Sequence, residues 1–127
     1  MEGKKILVID DDLAFCEMLT EILTDEGATV LVNNDDQTGL STAFSEHPDL
    51  VVCDVMMPGM SGLEVLKQLR ADSWGQNIAA LMLTNVNEPG AIATSVESGP
   101  PTEYLLKIDW TLDQIADKIR KIFEETQ

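Results

Sequence analysis

Aspartates stand at the ends of two short apolar runs in this sequence. The first run ends in Asp10, Asp11 and Asp12, and the second ends in Asp54. Continuous apolar runs of this length are typical of strands that are buried on both faces of a sheet. Adjacent carboxylates repel one another, and a divalent cation or a cationic side chain would relieve that repulsion. Asp10 and Asp11 are therefore candidate metal ligands, whereas Asp12 has another role available as a helix N-cap.

Two further apolar runs end in residues that suit an anion. Thr84 follows the run at residues 78–83, and Lys107 follows the run at residues 103–106. In open parallel sheets, ligands bind at the carboxyl ends of the strands. Carboxylates at that edge would hold a hard cation, and a hydroxyl and an ammonium group beside them would bind a phosphoryl group. The four strand ends together predict a site for Mg²⁺ and a phosphoryl group.

Apolar spacing and capping residues predict five helices that alternate with five strands. Ser61 with Glu64, and Thr111 with Gln114, are capping boxes for the third and the last helix. Strands are predicted at residues 6–9, 28–32, 50–53, 78–83 and 103–106, the second at a sheet edge. Helices are predicted at about 13–26, from 36 to before Pro48, from 62 to about 71, at about 89–98, and from 112 to about 123. This alternation predicts an α/β fold with helices on both faces of a parallel sheet.

Several side chains carry more local predictions. Leu13 belongs to the apolar face of the first helix, and Trp74 is expected to cover the edge of the core. His47, the one histidine, is expected to be a solvated residue at a helix end. Cys16 and Cys53 lie in apolar patterns without metal-ligand spacing, so we expect buried thiols in a reducing compartment.

The composition narrows the class of function. The 127 residues include 8 basic and 23 acidic residues, which gives a net charge of −15. The length suits one domain, and the charge disfavours nucleic acid and anionic membranes as direct partners. The sequence has no signal-peptide pattern and no apolar run long enough to span a bilayer, so a cytoplasmic location is expected.

These motifs resemble the receiver domain of response regulators, the phosphoacceptor switches of two-component (His–Asp phosphorelay) systems. The resemblance runs from Lys5 to about Phe123. It rests on Ile6–Asp11, Asp54 with Met57–Gly62, Leu83–Thr84 and Tyr104–Lys107. It implies a three-layer, doubly wound, five-stranded parallel sheet with strand order 2-1-3-4-5, flavodoxin-like in architecture. It also implies one receiver domain over residues 1–127, with no output domain in the chain.

The resemblance assigns the metal ligands and the acceptor. Asp54 would accept a phosphoryl group from the phosphohistidine of a sensor kinase or phosphotransfer protein, in a Mg²⁺-dependent reaction that the domain itself catalyses. Asp11, Asp54 and the backbone carbonyl of Met56 would bind Mg²⁺ directly, and Asp10 through water. Slow self-dephosphorylation would follow. The domain is thus expected to be a regulatory phosphoacceptor rather than an enzyme.

The resemblance also assigns the switch residues. Lys107 would pair with the Asp54 carboxylate or phosphate, and Thr84 would hydrogen-bond the phosphoryl oxygens. Tyr104 would follow Thr84 inward. The signal would pass to an unidentified protein partner through protein contacts.

The sequence departs from the family pattern near the switch residues. Ile108 replaces the usual proline after Lys107, Asn85 replaces a small residue after Thr84, and Gly99-Pro100-Pro101 replaces Gly-Ala. A cis bond before Ile108 would cost about 3 kcal/mol, so we expect a trans Lys107–Ile108 peptide, with Trp110 packed against the last helix.

Two apolar residues bear on phosphate lifetime. By resemblance, Met56 and Val86 flank the approach of the hydrolytic water, and neither side chain binds water. We expect slow dephosphorylation, and Met56→Asn with Val86→Glu should accelerate it about tenfold or more.

Two other classes share parts of the pattern. A haloacid-dehalogenase-type Mg²⁺ phosphatase would use Asp10 as nucleophile, with Thr84 and Lys107 in support. However, Ala14 stands where that family has Thr or Val, and the chain leaves no room for a cap. A flavodoxin-type flavin site would place a neutral loop where the three aspartates stand, because carboxylates repel the flavin phosphate.

Overall fold

The computed structural model describes residues 1–55, 61–84 and 103–125. The strands are β1 Lys5–Ile9, β2 Thr29–Asn33, β3 Leu50–Asp54, β4 Ala79–Thr84 and β5 Glu103–Leu106. The α-helices are α1 Leu13–Asp25, α2 Asp36–Glu46, α3 Gly62–Ala71 and α4 Leu112–Glu125, and a 3₁₀ helix spans Lys107–Asp109. Each strand and each α-helix agrees with its predicted position to within one or two residues, whereas the 3₁₀ helix was not predicted. The helix predicted at about Pro89–Ser98 lies outside the described residues.

All five strands pair in parallel, in the order β2-β1-β3-β4-β5. This is the order that the resemblance implied, and it places β2 at an edge, as predicted. The central strand β3 has no exposed residue, because it has neighbours on both sides and helices above and below. The carboxyl ends of β1, β3, β4 and β5 consequently lie along one edge of the sheet.

Two apolar cores fill the spaces above and below the sheet. Ile6 and Val8 of β1 face the core that α1 and α4 cover, whereas Leu7 and Ile9 face the core that α2 and α3 cover. This alternation follows from the two-residue period of a strand. Gly39 lets α2 approach closely, because a Cβ there would overlap the side chain of Ile9.

The helix starts follow the capping predictions. Ser61 accepts a hydrogen bond from the backbone N–H of Glu64 at 3.3 Å. Thr111 and Gln114 form the complete reciprocal box, with distances of 2.9 and 3.2 Å. The prediction for Leu13 is wrong: its side chain is 65% exposed, because in the first turn of α1 it projects beyond the edge of the sheet-facing core.

The amino-terminal edge of the sheet carries an aromatic cluster of Phe44, His47 and Trp74. The His47 ring stacks on Trp74 with centroids 4.4 Å apart, and Phe44 meets the same indole edge-on at 6.0 Å. His47 is exposed and ends α2 in the left-handed conformation (φ 47°). The prediction of a solvated helix-end residue is confirmed, but it missed the stack. Trp74 packs against the α2–α3 core, as predicted.

Both ends of the described chain line one groove at this same edge. The groove has a volume of about 290 Å³ and is lined by Met1, Glu2, Lys4, Arg120, Phe123 and Glu124. Arg120 of α4 also pairs with Glu26 at the end of α1. In the described residues, no helix combines the length and apolar composition needed to cross a bilayer.

Candidate functional site

The residues predicted at four strand ends meet at the carboxyl edge of the sheet. Asp10 follows β1, Asp54 and Thr84 are the last residues of β3 and β4, and Lys107 follows β5. Asp10, Asp54 and Thr84 are buried, with exposures of 1%, 4% and 1%. Burial of polar groups at one point costs free energy unless a ligand or partner compensates it, which favours a functional role for this cluster.

The carboxylates of Asp10, Asp11 and Asp54 converge. One oxygen from each lies within 4.8 Å of the other two. Oxygens on opposite sides of a Mg²⁺ ion are about 4 Å apart, so closing by under about 1 Å, or one bridging water, adapts this set to the ion. Asp11 is exposed while the other two are buried, which leaves one open side.

Lys107 supplies the cationic group of the cluster. Its Nζ lies 2.6 Å from Oδ2 of Asp10 and 4.0 Å from Oδ2 of Asp54. The resemblance had implied a pair with Asp54, but in this structure the shorter contact is to Asp10. One ammonium group offsets one of three carboxylates, so the cluster retains negative charge that a divalent cation would neutralise.

Asp10 is fixed by contacts that the sequence did not reveal. Its Oδ1 accepts from the backbone N–H of Asp12 at 2.9 Å. Its carbonyl oxygen accepts from Nδ2 of Asn34 at 3.0 Å and from the Cys16 thiol at 3.4 Å. Burial, followed by the charge of Asp10, raises the pKa of Cys16 to about 11, so the thiol keeps the proton that it donates. No sequence signal distinguished Asn34 from an ordinary turn residue.

Thr84 and Tyr104, the two residues predicted to act in switching, lie on the neighbouring strands β4 and β5. Thr84 ends β4, and Tyr104 on β5 is in register with Met82 of β4. The Tyr104 ring packs against the α2–α3 core, and its hydroxyl oxygen is buried. Gly62 brings the start of α3 against β3, because a Cβ there would overlap the carbonyl oxygen of Asp54. Met56 was predicted to bind the metal through its backbone carbonyl, and the Met56 and Val86 side chains were predicted to flank the water path. Both residues lie outside the described residues.

The loop after β5 follows the prediction made from Ile108. The described residues contain no cis peptide bond, so the Lys107–Ile108 bond is trans. The chain turns through the 3₁₀ helix, and Trp110 packs against the core that α4 helps to form, as predicted. Nothing in the sequence pointed to Phe15, whose ring centroid lies 4.1 Å from Nζ of Lys107.

This fold and this cluster of acids define a receiver domain. The profile of the response regulator receiver domain family matches residues 6–120, and the chain belongs to that family. It is a phosphoacceptor switch of two-component signalling and not a haloacid-dehalogenase-type phosphatase. Receiver domains bind Mg²⁺ at an acidic pocket, and sensor histidine kinases or phosphotransfer proteins phosphorylate them.

Particular relatives agree with this assignment. The chain is 38% identical over 104 residues to the DNA-binding response regulator MtrA of Mycobacterium tuberculosis, covering 82% of this chain but 44% of that protein. It is 31% identical to the sporulation initiation phosphotransferase F of Bacillus subtilis, covering 95% of this chain and 94% of that one. The chemotaxis protein CheY4 of Vibrio cholerae superposes with a TM-score of 0.84 at 27% identity, covering 93% and 97% of the two chains. The chain thus spans less than half the length of the MtrA protein, and nearly the whole length of the phosphotransferase.

Proposed function

We propose that Asp54 is the phosphoacceptor of this receiver. The observation that carries the proposal is the place of its carboxylate, buried at the end of the central strand between two acids and the ammonium group of Lys107. A carboxylate attacks phosphorus well when neighbouring cations neutralise charge on the donor and hold it in line. The one open side of the cluster would admit the donor.

Each neighbour has a distinct proposed role. Asp11 and Asp54 would hold Mg²⁺, and Mg²⁺ would neutralise phosphoryl oxygens. Asp10 would bind the ion through water, because both of its oxygens already accept hydrogen bonds, from Asp12 and Lys107. Thr84 would hydrogen-bond the phosphoryl oxygens, and Tyr104 would respond to that movement.

The finer activities are also proposals. The domain would catalyse its own phosphorylation from a phosphohistidine or a small acyl phosphate, and its own slow hydrolysis. A domain of this charge, −15 over 127 residues, would meet a basic face on its partner. We propose that residues 1–127 act as one cytoplasmic receiver that signals through protein contacts.

Phosphorylation with a small acyl phosphate tests the acceptor. With Mg²⁺ and acetyl phosphate, we expect the intact mass to rise by one phosphoryl group, and reductive trapping of the acyl phosphate should mark Asp54. Asp54→Asn should abolish the labelling. Asp36→Asn is the matched control, because Asp36 is also a buried aspartate but lies outside the cluster. Label on Asp10, or undiminished labelling of Asp54→Asn, would contradict the proposal.

A further inference from the structure

The ammonium group of Lys107 has a third neighbour besides two carboxylates. Nζ lies 2.6 Å from Asp10, 4.0 Å from Asp54 and 4.1 Å from the centroid of the Phe15 ring. The Lys107 side chain is 8% exposed. An ammonium group over an aromatic face within about 6 Å is attracted by the ring quadrupole, and more strongly where water is excluded.

The backbone ties the Phe15 ring to the same loop that carries the acids. The N–H of Phe15 donates to Oδ1 of Asp12 at 3.1 Å, and the N–H of Asp12 donates to Oδ1 of Asp10. The first turn of α1 therefore joins the residue that carries the ring and the Asp10 carboxylate in one hydrogen-bonded unit. Lys107, which comes from the far end of the chain, is bound by both members of that unit.

The Phe15 ring and Lys107 also meet at an open groove. Phe15, Lys107, Ile108 and Trp110 line this groove, whose volume is about 270 Å³. Phe15 also packs against the α1–α4 core, a contact that does not in itself require an aromatic ring. A role toward Lys107, in contrast, depends on the electron density of the ring face.

We propose that Phe15 is a positioning residue for Lys107. Its ring and Asp10 hold the ammonium group about 4 Å from Asp54, close enough to reach a phosphoryl oxygen on Asp54 while remaining over the ring. The consequence for phosphorylation rests on the proposed function. The contact with Lys107 does not, and it can be measured separately.

Progressive fluorination of Phe15 tests the proposal, because it removes the ring quadrupole while preserving the shape. We expect the rate constant for phosphorylation by acetyl phosphate to fall stepwise from mono- to trifluorophenylalanine, and by about fivefold in Phe15→Leu. Phe15→Tyr, which keeps the ring, should restore the rate. The same fluorinated residues at Phe44, which meets the Trp74 ring, are the matched control and should leave the rate unchanged.

Ring-current shifts test the contact itself. In wild type we expect the NMR signals of the Lys107 ε-methylene protons to lie upfield, and Phe15→Leu should return them to ordinary positions. The positioning role would be overturned if the fluorinated variants and Phe15→Leu were all phosphorylated at the wild-type rate. Unshifted ε-methylene signals in wild type would also overturn it. If wild type takes no label on Asp54, the proposed function fails, and the ring-current shifts alone then decide whether Phe15 holds Lys107.

Discussion

The two edges of the sheet are built on opposite principles. The carboxyl edge concentrates buried charge, with Asp10 and Asp54 sharing one ammonium group. The amino edge concentrates packing, with Phe44 and His47 in contact with Trp74. Like charges taken out of water cost free energy that one cation does not fully offset, whereas packed aromatic rings stabilise the fold.

This difference assigns separate duties to the two edges. The carboxyl edge should be under strain until a cation or a phosphoryl group binds, so its residues should control ligand response. The amino edge should contribute stability without affecting chemistry. This division would be wrong if a substitution at the amino edge changed the ligand response, or if one at the carboxyl edge left that response unchanged.

The largest effect is expected at the amino edge. Trp74→Ala removes the ring that joins Phe44 and His47 to the α2–α3 core, and should lower the free energy of unfolding by about 2–3 kcal/mol. The rate of Asp54 phosphorylation in the folded variant should not change. Urea unfolding and the acetyl phosphate assay measure the two effects.

Trp110→Ala is the matched variant at the carboxyl edge, since Trp110 lines the groove beside Lys107. Trp110→Ala should change the rate of Asp54 phosphorylation by acetyl phosphate, in contrast to Trp74→Ala. A slower reaction in Trp74→Ala at equal folded fraction would show that the two edges are not independent.

Metal should stabilise the carboxyl edge specifically. At Mg²⁺ concentrations ten times its dissociation constant, we expect the free energy of unfolding to rise by about 1.4 kcal/mol. Asp11→Asn should remove most of that gain and should be more stable than wild type without Mg²⁺, because repulsion among the three carboxylates falls. Asp49→Asn, which alters an exposed acid at the amino edge, should keep the full response. Urea unfolding with and without Mg²⁺ decides the matter, and an unreduced gain in Asp11→Asn would contradict the proposed ligand set.

Asp36 extends the comparison to a buried acid outside the cluster. It is 6% exposed, its Oδ1 accepts from the N–H of Gln37, and its Oδ2 has no hydrogen-bond partner among the described residues. Asp36→Asn removes the buried charge at constant shape, and should raise the free energy of unfolding by about 1 kcal/mol. Unfolding in urea measures it. A loss of stability would show that the N-terminus of α2 gains more from the charge than burial costs.

The smallest effect is a pH dependence at the start of α2. Hydrogen bonds from the backbone N–H and hydroxyl of Thr38 lower the pKa of Asp35 below its usual value of 3.8. Its contribution is therefore present above pH 3.8 and is lost as the pH falls through the lowered pKa. Asp35→Asn should flatten the acid limb of the stability curve, as followed by urea unfolding at a series of pH values. Ser61→Ala, which removes an uncharged cap, is the control and should lower the free energy of unfolding equally at each pH. An unchanged acid limb in Asp35→Asn would contradict the role assigned to the Asp35 carboxylate.

The sequence predicted the described elements because each is consistent at several levels. In α4 the capping box, the apolar period and the burial of Ile115, Ile119 and Phe123 all agree. Leu13 was misplaced because periodicity assigns a face to a residue but does not say where the neighbouring sheet ends. The His47–Trp74 stack joins residues of two loops that no local pattern connects.

The site was partly predictable for the same reason. Parallel pairing brings strand ends together, so Asp10, Asp54 and Lys107 were identified from their positions alone. The preference of Lys107 for Asp10 over Asp54 was not, because it depends on distances of 2.6 and 4.0 Å that the chain sets in three dimensions. Asn34 and Phe15 contact the site from neighbouring elements, and their residue types carry no signal of it.

The groove shared by Met1 and Phe123 has a consequence for chain connectivity. Because both ends of the described chain line it, a short flexible linker could join them far from the carboxyl edge. New termini could then be opened elsewhere, for instance in the exposed turn around Asp72 and Ser73. A circular permutant of this kind should retain its parallel sheet, since the order in which the strands are synthesised would change while their neighbours in space would not.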